Sequence, residues 1–396
     1  MKTIYLDNSA TTRQYDEVTE LVYRMAKENY GNPSSLHALG FDAGNILFDA
    51  RTTIEDLMYP GGEIIFTSGG TESDNMALFS SARKMKRRGK RILTTRIEHP
   101  AVLETCRRLA DDGFSVDYLS VDNTGTVDPY SVRDALTDDT IIVSIMTVNN
   151  ETGTIQPVLP VSKMVKEYNR HHGTKIIFHT DAVQAFGKLP LDDAAFDLVS
   201  VSGHKFHGPK GIGFLYMNKD LKLPAFITGG GQENGYRSST ENTTGIAGLG
   251  LAARLSYENL FAKMSRMGEL NDYLRKGLQT ELSDVFLNGP EELGYNLHDY
   301  GMRCPGVLNL TFKGTRGEVL LHTLEQDRIY VSTGSACSSH KTGDSHVLQA
   351  MGLDHKAIEG AIRFSFSEFN TKEDMDIVIE KTKAAVTRFR KLGSFR

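Results

Sequence analysis

A chain of 396 residues, 39% hydrophobic and 24% charged, has room for two or three domains with sizeable cores. A net charge of −5 gives no bulk basicity for nucleic acid or membrane surfaces, and no apolar run reaches the ~18 residues of a membrane span. Three cysteines are too few for a disulfide framework and the first residues carry no signal-peptide core, so the expected compartment is a reducing cytoplasm.

Residues 14–28 read as an amphipathic helix with Val18, Leu21, Val22 and Met25 on one face, followed by a turn at Gly31-Asn32-Pro33-Ser34-Ser35. Short apolar runs then recur at 63–67, 91–96, 116–119, 140–147, 175–180, 197–201 and 212–217, with helical stretches near 73–86, 100–111 and 158–171. Strands alternating with helices predict an α/β fold with a mostly parallel, seven-stranded sheet covered on both faces.

Such sheets bind ligands beyond the carboxyl ends of their strands, and here those ends carry the polar motifs. The first run leads into Ser68-Gly69-Gly70-Thr71-Glu72-Ser73-Asp74, where glycines at a helix start suit a phosphate and Thr71 with Asp74 has capping-box spacing. Glu98-His99-Pro100, Asn149-Asn150-Glu151 and Asp181-Ala182-Val183-Gln184 follow three further runs. Each alone reads more readily as a cap, a turn or a satisfied core polar group, and it is their shared place at strand ends that points to a site. Val199-Ser200-Val201-Ser202-Gly203-His204-Lys205-Phe206-His207 runs a buried strand into a turn bearing a lysine between two histidines. A desolvated lysine amine in such a turn can bond a carbonyl cofactor.

Together these groups suit pyridoxal phosphate, whose ring nitrogen works best protonated beside a carboxylate. Asp181 is the candidate carboxylate, Asn150 and Gln184 the donors to the ring hydroxyl, and His99 the stacking and proton-moving group. Thr71, Ser202 and His204 would share the phosphate, and Lys205 would bond the cofactor. His207 has no assigned role.

The chain resembles the class V aminotransferase family, of pyridoxal-phosphate fold type I, and within it the cysteine desulfurases of the NifS/IscS type. The resemblance spans nearly the whole length, through Tyr5 to Thr12, Asn32 to Ser35, Thr67 to Asn75, Glu98-His99, Asn149 to Glu151, Asp181 to Gln184 and Ser202 to Gly213. It continues through Gly229 to Glu233, Tyr236 to Thr240, Ser332 to Ser338 and Ala361 to Ser365. It implies that Lys205 is the Schiff-base lysine, that Gly70 joins Thr71 in the phosphate cup, and that Thr240 reaches the cofactor phosphate of a neighbouring subunit in a homodimer. Arg363 would grip the substrate carboxylate, helped by Asn32.

After residue 260, a helix at 262–282, a strand at 307–312, a helix near 317–326, strands at 328–332 and 361–366, and a helix over about 372–390 predict a smaller α+β domain. With residues 1–13 it would comprise 259–396, against a large domain of 14–258. It holds the polar stretch Ser332 to Ser345, read as a mobile loop over about 332–346. Cys106, on an apolar helix face, and Cys304, before a proline, read as structural. Cys337 lies in the loop, where His340 and Lys341 would favour its thiolate.

By the resemblance, Lys205 moves a proton on the substrate, the Cys337 thiolate takes the sulfur of L-cysteine, and alanine leaves with a persulfide on Cys337. Catalysis requires no metal, though Cys337 could ligate an iron–sulfur unit transiently. The loop Ser338 to Asp344 departs from the commoner sequence of iron–sulfur members, leaving the sulfur acceptor open between an iron–sulfur scaffold, a tRNA-thiolating enzyme and another carrier. Selenocysteine lyase or cysteine-sulfinate desulfinase activity, and a cofactor-free sulfur-relay scaffold, are the competing readings. The basic run Arg83 to Arg91, echoed at Arg388 to Lys391, reads as a solvated helix end or as a docking patch for an acidic or tRNA-bound partner. Neither membrane contact nor direct nucleic-acid binding is expected.

Overall fold

Alternation along the apolar runs decides the architecture. In the computed structural model, which describes residues 2–192, 196–333 and 343–393, the chain opens with β1 (Ile4–Tyr5), α1 (Asp16–Glu28) and α2 (Ala38–Glu55). There follow β2 (Gly62–Thr67), α3 (Gly70–Met85), β3 (Arg91–Thr95), α4 (Pro100–Asp111), β4 (Ser115–Leu119), α5 (Pro129–Ala135) and β5 (Thr140–Ser144). Next come α6 (Val158–His172), β6 (Ile177–Asp181), β7 (Leu198–Ser202), β8 (Gly213–Asn218), α7 (Thr243–Tyr257) and α8 (Leu260–Glu281). The chain closes with β9 (Val285–Leu287), β10 (Val307–Phe312), α9 (Gly317–Gln326), β11 (Ile329–Tyr330), α10 (His346–Ala350), α11 (His355–Glu359), β12 (Ala361–Ser365) and α12 (Lys372–Lys391).

Seven strands form one sheet in the order β2-β8-β7-β6-β5-β3-β4. Only β8 runs against its neighbours, so the expected mostly parallel sheet is present with one reversed strand. Successive residues bury on opposite faces. Ile64, Phe66, Phe178, Val199 and Val201 face the core under α2, α5, α6 and α7, whereas Ile65, Ile92, Ile142, Ile177 and Leu198 face α3 and α4. Cys106 lies in this second core, and Cys304 is also buried.

Topology then gathers the motifs at one edge. From β3 the chain turns outward to β4, whereas from β5 it turns back through β6 and β7, so the switch in direction lies between β3 and β5. Gly213 pairs with both Thr67 and Ser202, which brings the ends of β2 and β7 to the same edge. A Cβ on Gly213 would lie 2.8 Å from the Gly69 Cα, so close approach of two backbones requires glycine here.

A three-stranded antiparallel sheet, β12-β10-β9, forms from the C-terminal third of the chain, packed by α8 and α9, with α12 lying against both helices. The N-terminus returns to it: β1 pairs with β11, and the Asn8 side-chain amide donates to the Ser365 carbonyl at 2.8 Å. Ser9 to Thr12 are thereby carried past the end of β7, where the Thr12 hydroxyl donates to the His204 carbonyl.

Candidate active site

Where these strand ends converge, a cavity of about 440 Å³ is lined by Gly70, Thr71, His99, Asn150, Asp181, Gln184, Ser202, His204 and Lys205, with Ser9, Asp74 and Lys210 beside them. Nine of the residues singled out from the sequence share one cavity.

Lys205 sits on the turn that follows β7 and donates from Nζ to the carbonyls of Ser9 (2.6 Å) and Ala10 (2.8 Å). Asp181 ends β6, and its Oδ1 accepts the Val183 amide at 2.9 Å. Burial pushes its pKa up to about 6, although that amide and the nearby Lys205 charge oppose the shift. Asp74 is wholly buried and raised well above the usual carboxylate range, first by burial and then by the charge of Asp181. Its Oδ1 has no hydrogen-bond partner, and the nearest ring nitrogen, His179 Nε2, is 3.5 Å away. Burial holds that imidazole neutral, with a pKa of about 3, between Ser144 and Ser200.

His99 caps α4, its Nδ1 accepting the Ala101 amide at 3.1 Å. Burial, then the Lys205 charge, lowers its pKa to about 4, so at neutral pH its one ring proton is on Nε2. His204 is lowered to about 4 by burial and by Lys205 and Lys210, and its Nδ1 meets the Thr11 hydroxyl at 3.1 Å.

The expected Thr71–Asp74 capping box does not form. The helix begins earlier, at Gly70, with Gly69 as an N-cap that supplies no side chain, and Asp74 turns inward to the sheet. Gly69 has φ of +148°, and a Cβ at Gly70 would meet Val183 Cγ2 at 2.8 Å. The result is a cradle with bare backbone at a helix start, flanked by Ser202, His204 and Lys210. These residues fit pyridoxal phosphate: the cradle suits a phosphate, and the buried acids Asp181 and Asp74, the latter with an unpartnered Oδ1, suit a cationic ring nitrogen.

The remaining candidates lie outside the cavity lining. Thr240 is exposed and lines a neighbouring cavity of about 160 Å³ that shares Ser68 and Gly211 with the first. Asn32 is exposed on its loop, its Oδ1 accepting the Ser34 amide. Arg363 is 1% exposed and already engaged, donating to the Asn150 carbonyl (3.0 Å) and to Asp7 Oδ1 (2.8 Å). Cys337 lies outside the described residues. His207 is bound to structure: its Nδ1 meets the Arg13 carbonyl at 2.7 Å and its ring packs on Tyr15 and Phe369. Among the described residues no His, Cys, Asp and Glu group is placed to hold a metal ion.

Sequence reasoning missed the buried acids Asp74 and Glu98. Glu98, raised to about 8 chiefly by burial, accepts from Thr95 and from the Met146 amide and so ties the end of β3 to that of β5. Its only signal in the sequence was its place beside His99.

The class-V aminotransferase family model matches residues 4–378, and the chain belongs to that family. It is 41% identical over 396 residues to the cysteine desulfurase IscS of Dictyoglomus turgidum, covering 99% of this chain and 97% of that one. Among solved structures, a NifS-like protein matches with a TM-score of 0.88 at 38% identity over 98% of this chain and 100% of that one. SspA in complex with cysteine matches with a TM-score of 0.78 at 32% identity, covering 93% of this chain and 100% of the other. Within the family, the chain is a member of the cysteine desulfurases of the NifS and IscS type.

Proposed function

We propose that this chain binds pyridoxal phosphate in the 440 Å³ cavity and converts L-cysteine to L-alanine, leaving a persulfide on Cys337 for a protein acceptor in iron–sulfur assembly or tRNA thiolation. The observation that carries this reading is the convergence of Lys205, Asp181 and His99 from three separate strand ends on that cavity. A sulfur-relay scaffold would need neither a half-buried lysine nor buried acids around a cavity.

When bound, pyridoxal phosphate supplies the electron sink for the bonds broken in the substrate. Lys205 Nζ, between two carbonyl oxygens, holds the cofactor and then carries the proton moved at the substrate Cα. Asp181 would keep a proton on the ring nitrogen, and Gln184 and Asn150, which line the same cavity, would donate to the ring oxygen. His99 offers a neutral ring with its proton on Nε2. The cradle at Gly70 and Thr71, with Ser202 and His204, takes the phosphate. Arg363 receives the substrate carboxylate by exchanging its bond to Asp7, and the Cys337 thiolate takes the sulfur.

A homodimer completes the site in this reading. Thr240 and Asn32 face outward, and Tyr23, Tyr30, Leu36, Phe41 and Phe48 are exposed on α1, α2 and the loop between them. Residues 14–258 act as the cofactor-binding domain, and 1–13 with 259–396 as the domain that carries Cys337. No helix among the described residues is long and apolar enough to cross a membrane, and the proposed site of action is the cytoplasm. The test is absorbance and turnover. The purified protein with pyridoxal phosphate should show a visible band that borohydride fixes to Lys205, and Cys337→Ala should abolish alanine formation. Persistent L-cysteine turnover by Cys337→Ala would overturn the persulfide route.

A further inference from the structure

A second lysine is buried behind the cavity wall with no part in the chemistry above. Lys188 follows β6 by seven residues, on the helical turns closed by the Phe186 amide to the Ala182 carbonyl and the Leu189 amide to the Ala185 carbonyl. That conformation puts Lys188 one turn beyond Gln184. Gly187, with φ of +73°, permits the segment to lie against Phe206, whose Cβ would be 2.8 Å from any Cβ there. The Lys188 side chain is buried, and its ammonium pairs with no carboxylate among the described residues. Burial pushes its pKa down to about 8, with Lys205 and Arg363 acting in the same direction and the Cys304 thiol opposing them. An unpaired buried ammonium costs stability, and a methionine would fill the same space without that cost.

Its hydrogen bond among the described residues gives the lysine a use. Nζ donates to Gln184 Oε1 at 3.0 Å, and Gln184 Nε2 donates to the Ser9 carbonyl at 2.9 Å. The same carbonyl accepts Lys205 Nζ at 2.6 Å. Both ends of the Gln184 amide are therefore assigned by chemistry: the oxygen must face an ammonium and the nitrogen must face a carbonyl. The polar hydrogen that Gln184 has left for the cavity is its second amide N–H. A flipped amide would set its oxygen against the Ser9 oxygen and its NH2 against the ammonium.

We propose that Lys188 is a positioning residue of the cofactor site, locking the Gln184 amide so that it can only donate toward the ring oxygen of the bound cofactor. This inference rests on the pyridoxal-phosphate reading of the cavity. Without Lys188 the amide is free to turn, the ring oxygen loses its fixed donor, and a buried positive charge also disappears from the neighbourhood of Lys205. Both effects make the linkage between Lys205 and the cofactor hold its proton more tightly.

The experiment is a pH titration of the visible absorbance of the cofactor-loaded protein for wild type, Lys188→Met, Gln184→Met and the double variant, with thermal melts to confirm folding. Lys188→Met should raise the absorbance midpoint by about one pH unit and weaken retention of pyridoxal phosphate about tenfold. In the Gln184→Met background the further Lys188→Met change should add clearly less than it does in the wild type, because the effect through the amide is already gone and only the loss of the Lys188 charge remains. An unchanged midpoint in Lys188→Met, or the same shift with and without Gln184, overturns the proposal. If Lys188→Met does not fold, Gln184→Met alone must raise the midpoint, and failure to do so is equally decisive. Absence of any visible band in the wild type would instead overturn the cofactor reading itself, and this inference with it.

Discussion

Asp181→Asn should make the cofactor-free protein more stable while disabling the enzyme. The Asp181 carboxyl is buried beside Asp74 and raised from 3.8 to about 6. An acid whose folded pKa lies above its unfolded value keeps its proton more tightly in the folded state. Stability therefore falls as pH rises through that window, and the full cost persists above it. Two units correspond to about 3 kcal/mol at 1.36 kcal/mol per unit, and sharing of the effect with Asp74 makes about 2 kcal/mol a fair expectation. Asparagine retains the oxygen that accepts the Val183 amide at 2.9 Å, so little hydrogen bonding is lost. Thermal melting of the cofactor-free proteins should show Asp181→Asn about 2 °C above wild type at pH 8, with the gap closing near pH 4. Pyridoxal phosphate should then raise the wild type far more than the variant, because only the carboxylate can hold a protonated ring nitrogen. A gap of equal size at both pH values, or none at pH 8, would refute the argument that burial of an ionised Asp181 is what the fold tolerates for function.

Arg363→Ala leaves Asp7 without its 2.8 Å partner, so melting should fall and KM for L-cysteine should rise at least tenfold; an unchanged KM would remove Arg363 from the substrate site. Gly70→Ala brings a methyl to 2.8 Å from the β-branched Val183, and should lower stability by about 1–3 kcal/mol together with cofactor retention, both read from melts with and without pyridoxal phosphate. Reversing Lys86, Arg87 and Arg88 to glutamate, which breaks no ion pair among the described residues, should leave alanine formation intact and slow sulfur transfer to an acidic acceptor. Equal loss of both activities would show that the basic run is not a docking patch.

The sheet was legible because buried strands alternate and polar motifs must collect at their carboxyl ends. Three short helices, α5, α10 and α11, and two long ones, α2 and α7, were not. In α7, Thr243–Tyr257, nine of fifteen residues are buried, so no apolar stripe stands out, and Gly250 lets it lie against Ala50 of α2 at a distance a Cβ would close to 2.9 Å. In α2, Phe41 and Phe48 point outward and blur the inward face of Ala43, Leu47 and Ile54. The site was legible wherever a residue type is rare in its setting, as with a lysine at a strand end. Asp74 escaped because an aspartate three residues after a threonine has an ordinary use at a helix start. Only the packed structure shows that side chain pointing into the sheet, toward His179. Lys188 escaped for a related reason: nothing in Gly-Lys-Leu announces that the ammonium is buried or that Gln184 is its partner.

The electrostatics of the cavity give these separate residues a common logic. Burial raises Asp181 and Asp74, lowers His99 and His204, and lowers Lys188, so every shift runs toward the neutral form. These five groups resist ionisation because the protein alone supplies them too little counter-charge. A ligand with a cationic ring nitrogen at one end and a phosphate at the other corrects both ends at once: the nitrogen stabilises the Asp181 carboxylate, and the phosphate stabilises positive charge near His204 and Lys210. In the proposal above, Lys188 and Gln184 would serve a third polar atom of such a ligand, its ring oxygen. On this reasoning the cofactor acts as the missing counter-charge of the fold, and its binding should shift the titration of several buried groups together.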